Sequence, residues 1–432
     1  MLRRFLTCGI ASTVIALSAC TSDSESSDSE ADSERFEVTL LAGGGEQAAS
    51  EDPVAGGDVR LDGALTSLEP GPDGSVWAVV DGVSLIRADE AGQVSQWTPE
   101  LPEGVTEISD IAPAPDGEVY LLPQRAPGDL AGEASVYVFT EDGGIEPAFG
   151  VPAVGDQTVD AMPATADGEP AEDAKLGRIG DIAVDDDGSI VFVEEIAGAG
   201  YEVVNLVRRI EDGALRTIAG QPVDTDPSDI TEGEVHGASF PDADVAGTSV
   251  PVLGQTLIAA GSQAEVVLQV TRSILEVGED DALSVRMGSE AGTVAVPRIS
   301  EQGPLTDPVL PAEAEYRSNL RHTVGPAIAA DGGILATTFG GLPDDEDGRE
   351  RYLWEIADGS DRAQEIADAA AESVDQDLAG VYVSGDGQAV TTSVFGTGTT
   401  MLDDGTVVVA AQDEGSGESI MVSFAATVSD DE

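Results

Sequence analysis

The sequence predicts an all-β fold, namely a six-bladed β-propeller with four-stranded antiparallel blades, whose last blade is closed by the N-terminal strand. Short runs of Val, Ile, Leu and Ala alternate with Gly and Asp turns over most of the chain, which is typical of strands joined by tight connections. The pattern recurs in six copies, as in a repeat architecture. The sixth copy lacks a fourth run, and a matching run lies near the N-terminus.

The clearest copy of the repeat is 169–220. It holds four apolar runs, which are Ile179–Val184, Ser189–Glu194, Val203–Ile210 and Ala214–Ala219. Turn sequences separate them, namely Asp187-Gly188, Gly198-Ala199-Gly200 and Asp212-Gly213. Four short runs with tight turns predict one antiparallel four-stranded sheet.

The other copies are located by the turn before their second strand. These turns are Pro72-Asp73-Gly74, Pro115-Asp116-Gly117, Asp186-Asp187-Gly188, Leu253-Gly254, Asp331-Gly332 and Asp404-Gly405. Asp-Gly favours a hairpin because both residues tolerate a positive φ. The third strands are predicted at VSLIRA, SVYVFT, VVNLVRRI, EVVLQVT, RYLWEIA and SIMVSFA. The fourth strands are predicted at QVSQW, GIEPAFG, ALRTIAG and LSVRMG, while AQEIAD in the fifth copy is marginal and could be helical.

The sixth copy is completed from the N-terminus. Phe36–Gly43 reads FEVTLLAG and matches LRTIAG at the end of the clearest copy. A terminal strand in this position closes the ring and removes the exposed sheet edges. The stretches 288–321 and 368–398 do not fit the repeat and are predicted to be long connections.

The third copy carries motifs that resemble NHL repeats. These are Ile218-Ala219-Gly220, Gly168-Glu169-Pro170-Ala171, Ala174-Lys175-Leu176, Gly180–Asp185 and Asp187-Gly188. The first copy holds a looser echo in Pro53-Val54-Ala55 and Val59-Arg60-Leu61. The resemblance implies a propeller over most of 36–426. It also implies a ligand site at the mouth of the central channel, used either for binding or, in lyases of this kind, for catalysis by several axial histidines.

The N-terminus resembles the signal peptide of a bacterial lipoprotein. Arg3 and Arg4 precede the apolar run Phe5–Leu17, which is short for a membrane span. The run ends in Leu17-Ser18-Ala19-Cys20, which resembles a lipobox. The resemblance implies cleavage before Cys20, lipidation of that cysteine and anchoring at the extracytoplasmic face of the cell membrane. The alternative is an ordinary secretory signal with a chance cysteine.

These features divide the chain into four parts. Residues 1–19 are the predicted signal peptide, and 20–35 are the lipidated cysteine with a disordered spacer of Ser and acidic residues. The propeller is predicted over 36–426, and 427–432 form an acidic tail. Cys8 leaves with the signal peptide, so no disulfide is expected and the core alone must stabilise the domain.

The chain is strongly acidic, with a formal net charge of −64 from 83 acidic and 19 basic residues. This excludes a nucleic-acid-binding function, which needs a basic face. It also disfavours self-association, so a monomer is predicted, and the only bilayer contact expected is through the acyl group on Cys20. The composition is typical of a high-GC bacterium. The acidity can therefore reflect the average composition of that organism's proteins and need not indicate a ligand.

Three residues at the entry to the inner strands are predicted to reach the channel mouth, namely Ser67, Asp110 and Asp181. Asp110 and Asp181 stand in matching contexts, Ser-Asp-Ile-Ala and Gly-Asp-Ile-Ala. Two carboxylates near one axis could bind a cation or a basic group. The alternative is that each aspartate caps its own loop by accepting hydrogen bonds from backbone N–H groups.

The predicted function is a non-catalytic binding or scaffold module for a protein, peptide or glycan. The alternative is a lyase or hydrolase acting on a small substrate at the channel mouth. No catalytic residue, metal site or cofactor is assigned, because the chain has only His236 and His322 and no cysteine beyond Cys20 after cleavage. Binding of Ca²⁺ is left as an alternative because the chain is rich in oxygen ligands, although the sequence holds no twelve-residue calcium-binding loop.

Overall fold

The computed structural model describes the chain from Arg35 to Thr427 with internal gaps. The described residues are 35–125, 134–141, 144–152, 165–196, 204–220, 245–249, 252–253, 256–261, 266–270, 273–278, 281–287, 294–300, 326–328, 334–339, 351–357, 381–383, 389–391, 398–402, 404, 406–412 and 418–427. In this part of the chain the fold is all-β, and the only helical elements are two short 3₁₀ turns, Gly56–Asp58 and Gly247–Ser249.

The strands follow in chain order. The first group is β1 (Arg35–Ala42), β2 (Gln47–Ala48), β3 (Val54–Ala55), β4 (Val59–Arg60), β5 (Leu65–Pro70), β6 (Val76–Val80), β7 (Ser84–Ala88), β8 (Gln93–Trp97), β9 (Val105–Pro113), β10 (Val119–Arg125), β11 (Val136–Thr140) and β12 (Gly144–Phe149). The second is β13 (Val151–Pro152), β14 (Lys175–Leu176), β15 (Arg178–Val184), β16 (Ile190–Ile196), β17 (Val204–Glu211), β18 (Ala214–Ala219), β19 (Val245–Ala246), β20 (Val252–Leu253), β21 (Leu257–Ala260), β22 (Val266–Val270), β23 (Ser273–Val277) and β24 (Ala282–Met287). The third is β25 (Val294–Ser300), β26 (Ala327–Ile328), β27 (Ile334–Phe339), β28 (Arg351–Ala357), β29 (Val381–Val383), β30 (Ala389–Thr391), β31 (Gly398–Met401), β32 (Val407–Gln412) and β33 (Ser419–Thr427).

The larger sheets are arranged as a propeller. Within the described residues, six sheets have at least four strands, and from the inner strand outward they run β5-β6-β7-β8, β9-β10-β11-β12, β15-β16-β17-β18, β21-β22-β23-β24, β26-β27-β28-β25 and β31-β32-β33-β1. We number them sheets 1 to 6 in this order. Each inner strand contacts the inner strand of the next sheet, and β31 contacts β5. The inner strands therefore form a closed ring around one axis.

The last sheet is closed as the sequence predicts. β1 pairs antiparallel with β33 from Arg35↔Thr427 to Ala42↔Met421. Both strands extend one residue beyond the predicted boundaries of 36–426. The N- and C-terminal parts of the chain therefore share one sheet, which leaves no open gap in the ring.

Sheet 5 departs from the predicted order of strands. Its outer strand is β25, which lies in the stretch 288–321 predicted to be a connection, and it pairs antiparallel with β28. The run predicted for this place, AQEIAD, lies outside the described residues. Five of the six sheets follow the order of the repeat and count as its blades. The blade count is therefore five, and the prediction of six blades was wrong.

Sheet 4 shows a second error of the sequence prediction. The run QTLIAAG, predicted as a second strand, forms β21, which is the innermost strand. The predicted turn at Leu253-Gly254 does not join two strands of one hairpin, because Val252 and Leu253 pair with β17 of sheet 3. The strand SILEV, missing from the prediction, supplies the third position. An apolar run predicts that a strand forms, but it does not predict the position of that strand in the sheet.

The core lies between neighbouring sheets, and β6 shows why. Its five residues are all buried. Val76, Ala78 and Val80 pack in one cluster with Val408 and Ala410 of sheet 6. Trp77 and Val79 pack on the other side, in a cluster shared with β9 and β10 of sheet 2. Because alternate side chains of a strand point to opposite faces, a strand buried on both faces is apolar throughout.

Candidate functional site

Ser67, Asp110 and Asp181 lie on the inner strands of three consecutive sheets. Each lies beside an irregularity in the pairing of its strand. The register shifts between Thr66 and Glu69 in β5, between Asp110 and Ile108 in β9, and between Ile179 and Asp181 in β15. Bulges of this kind re-aim a side chain out of the regular alternation. The three predicted residues are thus presented from equivalent positions.

Hydrogen bonds join these three residues around the axis. The hydroxyl of Ser67 donates to Asp110 Oδ1 over 2.5 Å. A backbone N–H of the next sheet donates to each side chain: Ile111 to Ser67 Oγ at 3.0 Å, Ile182 to Asp110 Oδ2 at 3.3 Å and Ile258 to Asp181 Oδ2 at 2.6 Å. The side chains therefore link neighbouring inner strands, whereas the alternative made from sequence had each aspartate capping its own loop.

The backbone of Ser67 adopts a conformation that is rare for a residue with a side chain. Its φ is +50°, which lies in the left-handed region. Its hydroxyl is held on both sides, by Asp110 and by the N–H of Ile111. Strain in an inner strand, compensated by hydrogen bonds from the neighbouring sheet, is common at functional sites.

A fourth residue, Glu69, belongs to this cluster and was missed by sequence reasoning. Burial raises its pKa well above that of an ordinary glutamate, and the negative charge of Asp110 raises the pKa further. A sequence signal existed. Glu69 stands two residues after Ser67, and the equivalent residues after Asp110 and Asp181 are Ala112 and Ala183. An acidic residue where the second and third copies have alanine marks a position that the repeat does not require.

The surroundings of Asp181 oppose its ionisation. Burial raises the pKa of Asp181 well above its ordinary value, and the charge of Asp110 and a hydrogen bond with Asp110 raise it further. The N–H of Ile258 acts in the opposite direction. Like charges in a poorly solvated site disfavour simultaneous ionisation, so the neighbouring carboxylate of Asp110 opposes the ionisation of Asp181.

Glu69 differs from the two aspartates in having an unengaged carboxylate. It is half-buried, and no hydrogen bond or ion pair reaches it from the residues that the structure describes. No described Arg or Lys side chain pairs with Asp110 or Asp181 either. The cluster is thus an acidic site whose counter-charge does not come from the described part of the chain.

Other kinds of site are not seen in the described residues. These contain no group of three or more His, Cys, Asp or Glu side chains arranged to hold a metal ion. They also contain no helix of the length and apolar character that would cross a membrane. Both histidines considered from sequence, His236 and His322, lie outside the described residues.

Comparisons with known proteins give similarity only to solved structures. No family model matches the chain, and no curated protein matches it. One similar structure is a gluconolactonase, XC5397 from Xanthomonas campestris, at 11% identity over 74% of this chain and 89% of that chain, with a TM-score of 0.33. A second is a candidate oxidoreductase (glucose dehydrogenase) from Thermus thermophilus, at 13% identity over 90% and 100%, with a TM-score of 0.33.

A third similar structure is a protein of unknown function from Dyadobacter fermentans, at 12% identity over 91% of this chain and 98% of that chain, with a TM-score of 0.37. Identities and TM-scores of this size are too low to transfer an activity. The fold class rests instead on the ring of inner strands described above.

Proposed function

We propose that the protein is a lipid-anchored extracytoplasmic β-propeller that binds a cationic group of its ligand at Glu69, next to Asp110 and Asp181. The observation that carries this proposal is the carboxyl group of Glu69, which no described residue engages, beside the half-buried Asp110 and the buried Asp181. A ligand cation would offset the effects of burial and of the charge of Asp110, which both raise the pKa of Glu69, and it would favour the ionised form. The cluster thus favours a ligand over a purely structural role.

The chemistry of the cluster favours a basic side chain of a peptide or protein as that cation. Most oxygens of the two aspartates already accept hydrogen bonds from Ser67, Ile182 and Ile258. Glu69 therefore offers the free acceptor, which suits one ammonium or guanidinium group. A glycan is less favoured, because the described tryptophan side chains, Trp77 and Trp97, are buried in the core and cannot stack on a sugar.

The proposal predicts a binding constant that depends on pH and on Glu69. With acetyl-Gly-Arg-Gly-amide as the probe, Glu69→Gln should weaken binding by about tenfold, as expected for one partly buried charge-assisted pair. Because the pKa of Glu69 is raised, its carboxyl is neutral at low pH and ionises only at a pH well above about 4.3. Binding should therefore strengthen as the pH rises, and it should release protons, which calorimetry in buffers of different ionisation enthalpy would detect.

Glu90→Gln is the matched control for this experiment. Glu90 is exposed in the turn between β7 and β8, so the substitution removes the same charge away from the cluster. It should change the affinity by less than about twofold, the effect of general screening by salt. Equal weakening by both variants would show that only the net charge of the protein attracts the probe, and the proposed site would be wrong.

The alternative function is a hydrolase or lyase, which the proximity of Asp110 and Asp181 favours. Two neighbouring carboxyls are a usual acid–base arrangement. The hydrogen bonds of this cluster disfavour a catalytic role. The hydroxyl of Ser67 both donates to Asp110 and accepts from Ile111, and Asp181 accepts from Ile258. These groups are engaged in joining strands, so binding is the better supported function.

The lipid anchor is proposed from the signal sequence and its Cys20. Replacement Cys20→Ser removes the thiol that would carry the lipid, so the protein should move from the membrane fraction to the culture medium. A Thr21→Ser control should stay with the membrane. Retention of the Cys20→Ser protein in washed membranes would contradict lipid anchoring and would leave the binding proposal untouched.

A further inference from the structure

A concave site lies between sheets 2 and 3, away from the inner strands. It is a groove of about 570 Å³. Its apolar walls are formed by side chains from both sheets, chiefly Tyr120, Val138, Phe149, Ile190 and Ile210. The rings of Phe149 and Phe192 pack against each other in a tilted arrangement, with centroids 5.4 Å apart. A volume of this size, with aromatic and aliphatic walls, suits a small organic ligand.

The polar groups of the groove are all of one sign. Glu118, Glu172 and Asp212 line it, and none of its lining residues is basic. Glu118 is half-buried and Glu172 and Asp212 are exposed, so the acids surround an apolar floor. A neutral or anionic ligand would gain the apolar contacts only, and an anion would also be repelled. The charge of the groove therefore selects a cation.

Tyr120 places a polar group at the boundary between the floor and the acids. Its hydroxyl donates to Glu118 Oε2 over 3.4 Å. Burial, followed by the charges of Glu118 and Asp116, raises the pKa of Tyr120 to about 12. The hydroxyl is therefore protonated at neutral pH and holds the carboxylate of Glu118 at the edge of the aromatic surface. An ammonium placed there would meet the carboxylate and the face of the ring together.

We propose that this groove binds a small organic cation in which an ammonium group is attached to an apolar or aromatic body. The body would lie on Phe149, Ile190 and Ile210, and the ammonium would lie at Glu118. The site is separate from the cluster at Glu69, because no residue of an inner strand lines the groove.

The test uses 2-phenylethylammonium as the probe, with binding to the purified protein followed by ligand-observed NMR. Phenylacetate has a similar shape and the opposite charge, so it should bind at least tenfold more weakly than the cation. Glu118→Gln should weaken the binding of 2-phenylethylammonium by about tenfold. Ala148→Phe, which fills the groove from β12, should abolish it, and circular dichroism would verify that this variant is folded.

Glu90→Gln is the control for the net charge of the protein, and it should leave the affinity for 2-phenylethylammonium within about twofold of the parent protein. Glu69→Gln reports any additional binding of the probe at the axial cluster, and it should leave the effect of Glu118→Gln unchanged because the two sites are separate. If Glu69→Gln weakens binding and Glu118→Gln does not, the probe lies in the axial cluster and the groove proposal is overturned. If phenylacetate binds as tightly as the cation, the groove is only an apolar surface, and the proposal is overturned as well.

Discussion

Deletion of residues 35–42 is expected to lower the melting temperature of the protein by more than about 10 °C. These residues form β1, which pairs with β33 along its length. Their loss removes a row of backbone hydrogen bonds and uncovers Ile420, Met421 and Val422, which are fully buried in the intact sheet. It also opens the sheet in which the two ends of the chain meet. Thermal unfolding followed by circular dichroism measures the effect.

Two further experiments separate closure from simple shortening. Deletion of 24–31, which lies in the predicted spacer, should leave the melting temperature unchanged. A synthetic peptide with the sequence 35–43, RFEVTLLAG, should raise the melting temperature of the truncated protein by adding back the missing strand to the open edge. A truncated protein that melts like the parent would show that β1 does not stabilise the ring.

The substitution Arg208→Met is expected to cost about 3–5 kcal/mol of unfolding free energy, the range for removing one partner of a buried ion pair. The side chains of Arg208 and Glu194 are 1% and 0% exposed, with Nη1 and Oε2 3.0 Å apart. Glu194 also accepts the N–H of Gly177 at 2.8 Å, and Arg208 donates to the carbonyl of Thr165 at 2.8 Å. Methionine has a similar volume and no charge, so the substitution leaves the carboxylate of Glu194 buried without its partner.

The pH dependence of this loss follows from the electrostatics of Glu194. Burial raises its pKa, while the N–H of Gly177 and the charge of Arg208 lower it. Removing Arg208 raises the folded-state pKa further. A group with a raised folded-state pKa contributes stability at low pH and loses it as the pH rises through that value. The difference between Arg208→Met and the parent should therefore be small in acid and grow toward neutral pH.

Two other variants test the assignment to the buried pair. In the double variant Arg208→Met, Glu194→Gln no charge is left buried, so most of the lost stability should return. Arg216→Met removes an arginine whose side chain is 43% accessible and which pairs with Glu211 at 3.0 Å and with Asp281, so it should cost clearly less than Arg208→Met. Equal losses for Arg208→Met and Arg216→Met in urea unfolding would contradict the importance of burial.

Local pattern accounts for the parts of the fold that sequence predicted well. The continuous apolar run of β6 and the runs of β15 to β18 identify strands, because a buried strand needs apolar residues whatever its partner is. The Asp-Gly turns of sheets 1 to 3, at 73–74, 116–117 and 187–188, join the first and second strands as predicted, but for a partly different reason. Gly74 has a positive φ of 74°, while the side chain of Asp73 accepts the N–H of Ser75 at 3.2 Å instead of sharing the positive φ.

The candidate site was predicted only in part. Ser67, Asp110 and Asp181 were found because they occupy one place in the repeat. Glu69 was missed because its significance depends on the charge of Asp110, which is 41 positions away in sequence and adjacent in space. The buried pair of Arg208 and Glu194 was missed for a related reason. Both lie in runs that predict strands, and no local pattern shows that two charged residues on neighbouring strands will meet.

The sequence by itself determined that this chain folds into repeated antiparallel sheets and that its first strand completes its last sheet, because strand periodicity and turn chemistry are local properties. Only the tertiary structure decided the order of strands in sheets 4 and 5. In sheet 4 β21 is the innermost strand, and in sheet 5 the outermost strand is β25, which precedes the other three in sequence. It also decided which acids share one desolvated site. Strand pairing and charge coupling act through space between residues that are distant in sequence. Residue spacing along the chain therefore does not predict them.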